Sequence, residues 1–212
     1  MHFDTVVPLM KGIMTPASWF TTLFYKPWYI LHAMYNVIPW FIKNRQGVCR
    51  PRIFSWFKAL RTSPPPYPTD SLKVGVAGFC WGGKFAFLLC ADTPSSRVHR
   101  HESQVTASML EPLIDCGFTA HPSMVNVPED VEAVSLPLSV VVGNEDMAMK
   151  SADIKLMQEI LTVKKKGDHE VNIIPGAKHG FAVREDPKDR FQGQCADKAE
   201  VQAIEWFTRW FA

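Results

Sequence analysis

Residues 74–83 read VGVAGFCWGG, an apolar run that closes on glycines packed around one thiol. Cys80 has two readings here: a small core residue at a tight turn, or a nucleophile held up by one. Lys73 to Phe79 is short, apolar and rich in valine, which predicts a strand. Trp81 to Cys90 continues as a helix. A strand that turns at once into a helix forces a strained backbone on the residue at the turn. Gly78, Gly82 and Gly83 are the small neighbours expected to relieve the clash. The pattern is G-x-nucleophile-x-G, with Cys where Ser is commoner. Such a turn lifts Cys80 above the C-terminal edge of the sheet. The N-terminus of the next helix favours negative charge there, which helps a thiolate. The backbone N–H of Trp81 then points to the place where an oxyanion would form.

A nucleophile needs a base, and the base needs an orienting group. Leu136–Val142 (LPLSVVV) predicts a second clear strand, and GNEDMAMK lies downstream of it. Glu145 and Asp146 both stand past that strand's C-terminal end, on the edge that carries the turn. Val171–Ile174 predicts a third strand, followed by PGAKHGF with His179 in a glycine-flanked loop. Phe118–His121 reads as a strand end. His121, in AHPS (120–123), either contacts a substrate in the pocket or makes a structural hydrogen bond. Two helices complete the pattern. Ser151–Lys166 carries Ile154, Met157, Ile160 and Leu161 on one face, with Ser151 as its cap. Ala196–Phe211 turns Ala199, Ala203, Phe207 and Trp210 or Phe211 inward. Strands alternating with helices predict an α/β fold, a mostly parallel sheet flanked by helices.

Residues 1–62 are different: rich in aromatics and poor in strand alternation. Residues 19–45 predict helices broken at Pro27 and Pro39. Pro51–Thr62 predicts an amphipathic helix with Ile53, Phe54, Phe57 and Leu60 on one side. SPPPYPTD (63–70) is a stiff connector. The expected organisation is a single domain, with a cap-like helical segment (1–62), the connector (63–70) and a catalytic core (71–212). The aromatic stretch 19–41 either covers the site or packs as core.

The chain has 212 residues, of which 47% are hydrophobic, so a sizeable core is within reach. A net charge of +2 implies no nucleic-acid partner. Lys164–Lys166 is placed on the exposed end of a helix. Five cysteines at irregular spacings do not form a disulfide framework, and reduced thiols in the cytoplasm are expected. Cys90 reads as core, and Cys116 and Cys195 show no partner pattern. Lys26, Pro27, His32, Asn36 and Pro39 interrupt the apolar stretch 17–42, so no membrane span and no membrane partner are expected. No secretory signal is read at Met1. His99 and His101 form an H-x-H pair with no third ligand nearby in sequence, so no metal is expected.

The sequence resembles the dienelactone hydrolase family, and its fungal branch in particular. The resemblance rests on GFCWGGK (78–84), AHPS (120–123), PEDVEAVSLPLSVVVGNED (128–146) and GAKHGFAVR (176–184), and it runs from about Lys73 to Ala212. It implies an α/β-hydrolase fold and a Cys-His-Asp triad, here Cys80, His179 and Asp146. The family's E-x-D-like or N-x-D-like loop selects Asp146 over Glu145. It implies hydrolysis of a small lactone or ester without metal or organic cofactor. It gives Arg184 the role of a substrate-carboxylate contact, five residues after His179 where the bacterial pattern has four. Family members also carry several strands before the turn. Those strands supply a second oxyanion N–H and, in bacterial members, a carboxylate that contacts the resting thiol. Residues 1–70 read as helical, with at most the remnant of one strand in MHFDTVVPLM. The early strands, the second donor and that carboxylate are therefore expected to be missing. The alternative is a non-catalytic truncated remnant kept as an interaction protein, self-associating through an exposed sheet or the aromatic segment.

Overall fold

Parallel strands buried on both faces read as continuous apolar runs, and such runs build the centre of this protein's sheet. The computed structural model describes residues 8, 9, 12, 13, 15–164, 168–183 and 189–212. Its strands are β1 (Gly75–Phe79), β2 (Val98–His99), β3 (Leu110–Glu111), β4 (Cys116–Ala120), β5 (Leu138–Glu145) and β6 (His169–Lys178). The main sheet has the order β1-β4-β5-β6, with every pairing parallel. β2 and β3 form a separate antiparallel pair. The central strands are the most enclosed: all of β4 is buried, as is β5 from Leu138 to Val142. Among the described residues no strand precedes β1.

The helices are α1 (Lys26–Lys43), α2 (Gln46–Thr62), α3 (Trp81–Cys90), α4 (Glu129–Glu132), α5 (Ser151–Val163) and α6 (Arg190–Phe211). Contacts divide the chain into two compact units, Met1–Ile53 and Phe54–Ala212. The division falls inside α2. The reason lies in Arg61, which is 3% exposed. Its guanidinium donates to Leu113 O (2.8 Å), Leu72 O (2.9 Å) and Asp115 Oδ2 (2.6 Å). Asp115 Oδ2 also accepts from Val74 N at 2.7 Å. The second half of α2 is thus tied to the segment that leads into β1.

Two sequence expectations about helix ends are corrected. Pro27 and Pro39 do not break α1, nor does Pro51 stop α2 from starting at Gln46. Pro27 sits in the first turn, where a missing N–H has no intrahelical partner to lose. Pro39 and Pro51 each forfeit one ladder bond while the flanking turns hold. Ser151 is not a cap but the first residue of α5; Lys150 holds the cap position, without a side-chain bond. Lys164 is not a solvated cation either. Its ammonium donates to Val134 O at 2.5 Å and to Glu132 O, at the C-terminal end of α4, where a helix dipole favours positive charge. Lys165, Lys166 and most of the stretch 1–10 lie outside the described residues.

α6 covers one face of the sheet. Its buried residues Gln192, Cys195, Ala199, Gln202 and Trp206 recur at spacings of three and four, the repeat of a single helix face. Cys195, Ala199 and Trp206 join Phe118, Val141, Ile174 and Phe181 in one cluster, with Ala203, Phe207 and Trp210 packed at its margin. Phe211 is 44% exposed. The inward face is wider than its apolar residues alone and includes Gln202, whose Nε2 donates to Ser139 Oγ (2.8 Å) and Val140 O (3.3 Å).

Candidate active site

Parallel strands end on a common edge, and each candidate side chain of the core follows a strand there. Cys80 follows β1 with φ 50° and ψ −120°, a region non-glycine residues rarely occupy. The strain is held by bonds on both sides. Its N–H donates to Ala120 O at 3.4 Å, and its carbonyl accepts from Gly83 N and Ser123 N, both at 3.0 Å. A Cβ at Gly78 would stand 2.5 Å from Gly82 O, and one at Gly83 would stand 2.5 Å from Thr119 Oγ1. Those two glycines are sterically required. Gly82 is not, contrary to expectation: a Cβ there meets nothing within 4 Å.

β1 and β4 pair with Phe79 opposite Ala120, so the next residues, Cys80 and His121, emerge side by side. His121 Nδ1 lies 3.3 Å from Cys80 Sγ. His121 is fully buried and takes φ 40°. Its ring stacks edge-on against those of His179 (5.2 Å) and Phe181 (5.3 Å). Its Nε2 is buried without a hydrogen-bond partner among the described residues. The sequence left His121 between a pocket contact and a structural bond; its place is against the sulfur. The signal was available in the register, since two adjacent parallel strands end one residue before Cys80 and His121.

Asp146 follows β5 and His179 follows β6. His179 Nδ1 lies 2.8 Å from Asp146 Oδ1 and 3.1 Å from Oδ2. Asp146 Oδ1 also accepts from Ala148 N at 2.8 Å, which fixes the carboxylate. Asp146 is buried, while Glu145 remains the exposed last residue of β5. Geometry therefore separates the two carboxylates that the sequence left side by side. The Cys80 sulfur and one ring nitrogen each of His121 and His179 lie within 4.8 Å of one another.

The electrostatics follow from these contacts. Burial pushes the Cys80 thiol up, but hydrogen bonding to His121 and His179 outweighs it and leaves the thiol lowered to about 6. Burial pulls His179 down, but its bond to Asp146 and its contact with Cys80 raise it to about 9. Between those values the pair favours thiolate and imidazolium. Burial drives Cys116 up to about 12 and raises Cys90 and Cys195 as well.

Trp81 opens α3, so its N–H sits at a helix N-terminus next to Cys80. α3 is further anchored by Lys84, 4% exposed and paired with Asp130. The sequence reading missed this pair. A thiolate and two imidazoles are donors that a soft divalent cation such as zinc accepts, so Cys80, His121 and His179 could hold one. His99 and His101 bond separately, to Ala107 O and Ser103 Oγ, and do not converge. Arg184 lies outside the described residues. A groove lined by Phe79, Phe118, Val183 and Ile204 runs nearby, with Cys80, His121 and His179 outside its lining.

The model of the family described as "Dienelactone hydrolase family" matches residues 48–212. Among curated proteins, the chain is 29% identical over 139 residues to Hydrolase tropI of Talaromyces stipitatus, covering 65% of this chain and 46% of that one. It is 24% identical over 138 residues to Hydrolase pyvD of Aspergillus violaceofuscus, covering 65% and 48%. The chain thus spans about half the length of the curated relatives it matches. Among solved structures, the dienelactone hydrolase of Anabaena variabilis superposes with a TM-score of 0.51 at 21% identity, over 80% of this chain and 65% of that one. The dienelactone hydrolase-like promiscuous phosphotriesterase P91 from metagenomic libraries superposes with a TM-score of 0.55 at 18% identity, over 84% and 68%. These two likenesses establish the α/β fold.

Proposed function

The chain belongs to the dienelactone hydrolase family, and we propose that it hydrolyses a small lactone or carboxylic ester by covalent catalysis at Cys80. One observation carries the reading. The Cys80 sulfur stands at a strained strand–helix turn, grouped with His121 and His179, and Asp146 lies 2.8 Å from His179.

In this reading the Cys80 thiolate attacks the carbonyl carbon. A C–S bond forms and the carbonyl electron pair moves onto oxygen, stabilised by the Trp81 N–H. Collapse of that intermediate breaks the C–O bond. The leaving alkoxide or enolate takes a proton from the His179 imidazolium, leaving a thioester on Cys80. His179, now neutral, takes a proton from water as the water oxygen attacks the thioester. The second collapse expels the Cys80 thiolate and releases the carboxylic acid. Asp146 keeps His179 in the tautomer that faces the sulfur. His121 is fully buried and bonded to the sulfur, which supports a role in positioning the thiolate and not in touching substrate.

The test is turnover of a p-nitrophenyl ester by the full chain and by Cys80→Ala. Release of p-nitrophenolate above background by the parent alone supports the reading. Equal rates for the two proteins overturn it.

A further inference from the structure

The small net charge hides a polarised chain. Residues 5–69 contain eight Lys and Arg and no Asp or Glu, whereas residues 70–212 contain fifteen Lys and Arg and twenty Asp and Glu. The N-terminal segment is therefore strongly cationic, and the remainder is acidic.

The unit Met1–Ile53 adds a second asymmetry. One side of α1 packs inward. Ala33 is buried there, and Tyr29, Asn36 and Trp40 are half-buried at helical spacing around it. The opposite side, continuing from the preceding turn, carries Phe24, Trp28, Leu31, Tyr35, Ile38 and Ile42. They recur at alternating spacings of four and three, one stripe of a helix. Each is between 46% and 78% exposed. Trp19, Phe20 and Leu23 extend the apolar surface at its N-terminal end, at 50% to 76% exposure. An aromatic stripe of this length standing in water marks a docking face. No helix among the described residues is long and apolar enough to cross a membrane.

We propose that this face lies on an anionic lipid surface. The stripe enters the boundary between headgroups and acyl chains, and Lys43 and Arg45, exposed at its C-terminal end, sit against acidic headgroups. Charge decides the occupant. Residues 5–53 hold six Lys and Arg and no Asp or Glu, so two copies of this unit repel each other and self-pairing through this face is disfavoured. An anionic bilayer satisfies the apolar stripe and the cations together, and Trp and Tyr have the amphipathic rings suited to that boundary. The proposal is independent of the chemistry at Cys80.

The test is cosedimentation of the full chain with vesicles of phosphatidylcholine alone and of phosphatidylcholine enriched in phosphatidylserine. The expected result is at least ten-fold tighter binding to the anionic vesicles, with release as salt rises from about 0.1 M to about 0.5 M. The double variant Lys43→Glu/Arg45→Glu should bind roughly 30-fold more weakly, about five-fold for each basic residue lost. Trp28→Ser/Leu31→Ser should weaken binding to the same vesicles. Equal binding to both vesicle types, binding indifferent to salt, or no binding overturns the proposal. So does gel filtration showing a dimer that Trp28→Ser dissociates, because a second copy would then cover the face. The salt series uses the parent chain, so the test holds even if a variant fails to fold.

Discussion

Gly78→Ala places a methyl carbon 2.5 Å from Gly82 O, 2.8 Å from Gly82 C and 3.0 Å from Gly83 Cα. All three are backbone atoms, so no side chain can swing aside. Non-bonded carbons settle at about 3.5–4.0 Å, so the turn must open by up to about 1 Å. Overpacking of this kind costs about 1–3 kcal/mol. In a chain of 212 residues that lowers Tm by roughly 2–12 °C, at about 2–4 °C per kcal/mol. Gly82→Ala is the control. A Cβ there meets nothing within 4 Å, in the first turn of α3. Alanine in a helix is favoured over glycine by up to about 1 kcal/mol, so this variant should be neutral or slightly stabilised. Urea unfolding and thermal scans of the two variants measure the difference. If Gly82→Ala is destabilised as much as Gly78→Ala, or if Gly78→Ala is neutral, the turn is not packed as described.

Other outcomes follow from the charges around Cys80. Its thiol is lowered to about 6 and His179 is raised to about 9. The thiolate is therefore lost as pH falls through about 6, and the imidazolium is lost as pH rises through about 9. kcat/KM for a p-nitrophenyl ester should form a bell with those limbs; a rate that first climbs in the ordinary thiol range near ~8.5 contradicts it. Asp146→Asn removes the carboxylate that holds His179 up. Its alkaline limb should move to lower pH and its turnover should fall by about 10²–10⁴, and an unmoved limb would show that Asp146 does not act on His179. Arg61→Ala strips a buried partner from Asp115 and from the carbonyls of Leu72 and Leu113. Its urea denaturation should show a loss of about 3–5 kcal/mol, and a loss under about 1 kcal/mol refutes the anchoring of α2 to β1.

The core was legible where the physics is local. LPLSVVV read as a strand because a central parallel strand buried on both faces shows as an apolar run, and the edge strands in VGVAGF and VNII showed through their β-branched residues between turn signals. Their ends located Cys80, Asp146 and His179 because side chains past parallel strands share an edge. What escaped the sequence depended on partners far along the chain. His121 beside Cys80 is a matter of strand register. Arg61 and Lys84 drew no reading of their own, because their burial depends on Asp115 and Asp130. On α6, Ala199, Ala203, Phe207 and Trp210 pack on the core as read, and Gln202 escaped because its burial is satisfied by Ser139 and Val140. Pro27 and Pro39 of α1 were over-read as breaks: Pro27 sits in the first turn, and the one ladder bond lost at Pro39 is outweighed by the turns around it.

The central claim is that Cys80 is an activated nucleophile. It is tested most directly by alkylating the native chain with iodoacetamide near pH 7 and mapping the modification of all five cysteines over time. The account predicts that Cys80 reacts first and alone, because it is the half-buried cysteine whose thiol is lowered to about 6, while Cys49, Cys90, Cys116 and Cys195 are buried. Modification of Cys80 no faster than that of the other four would contradict it.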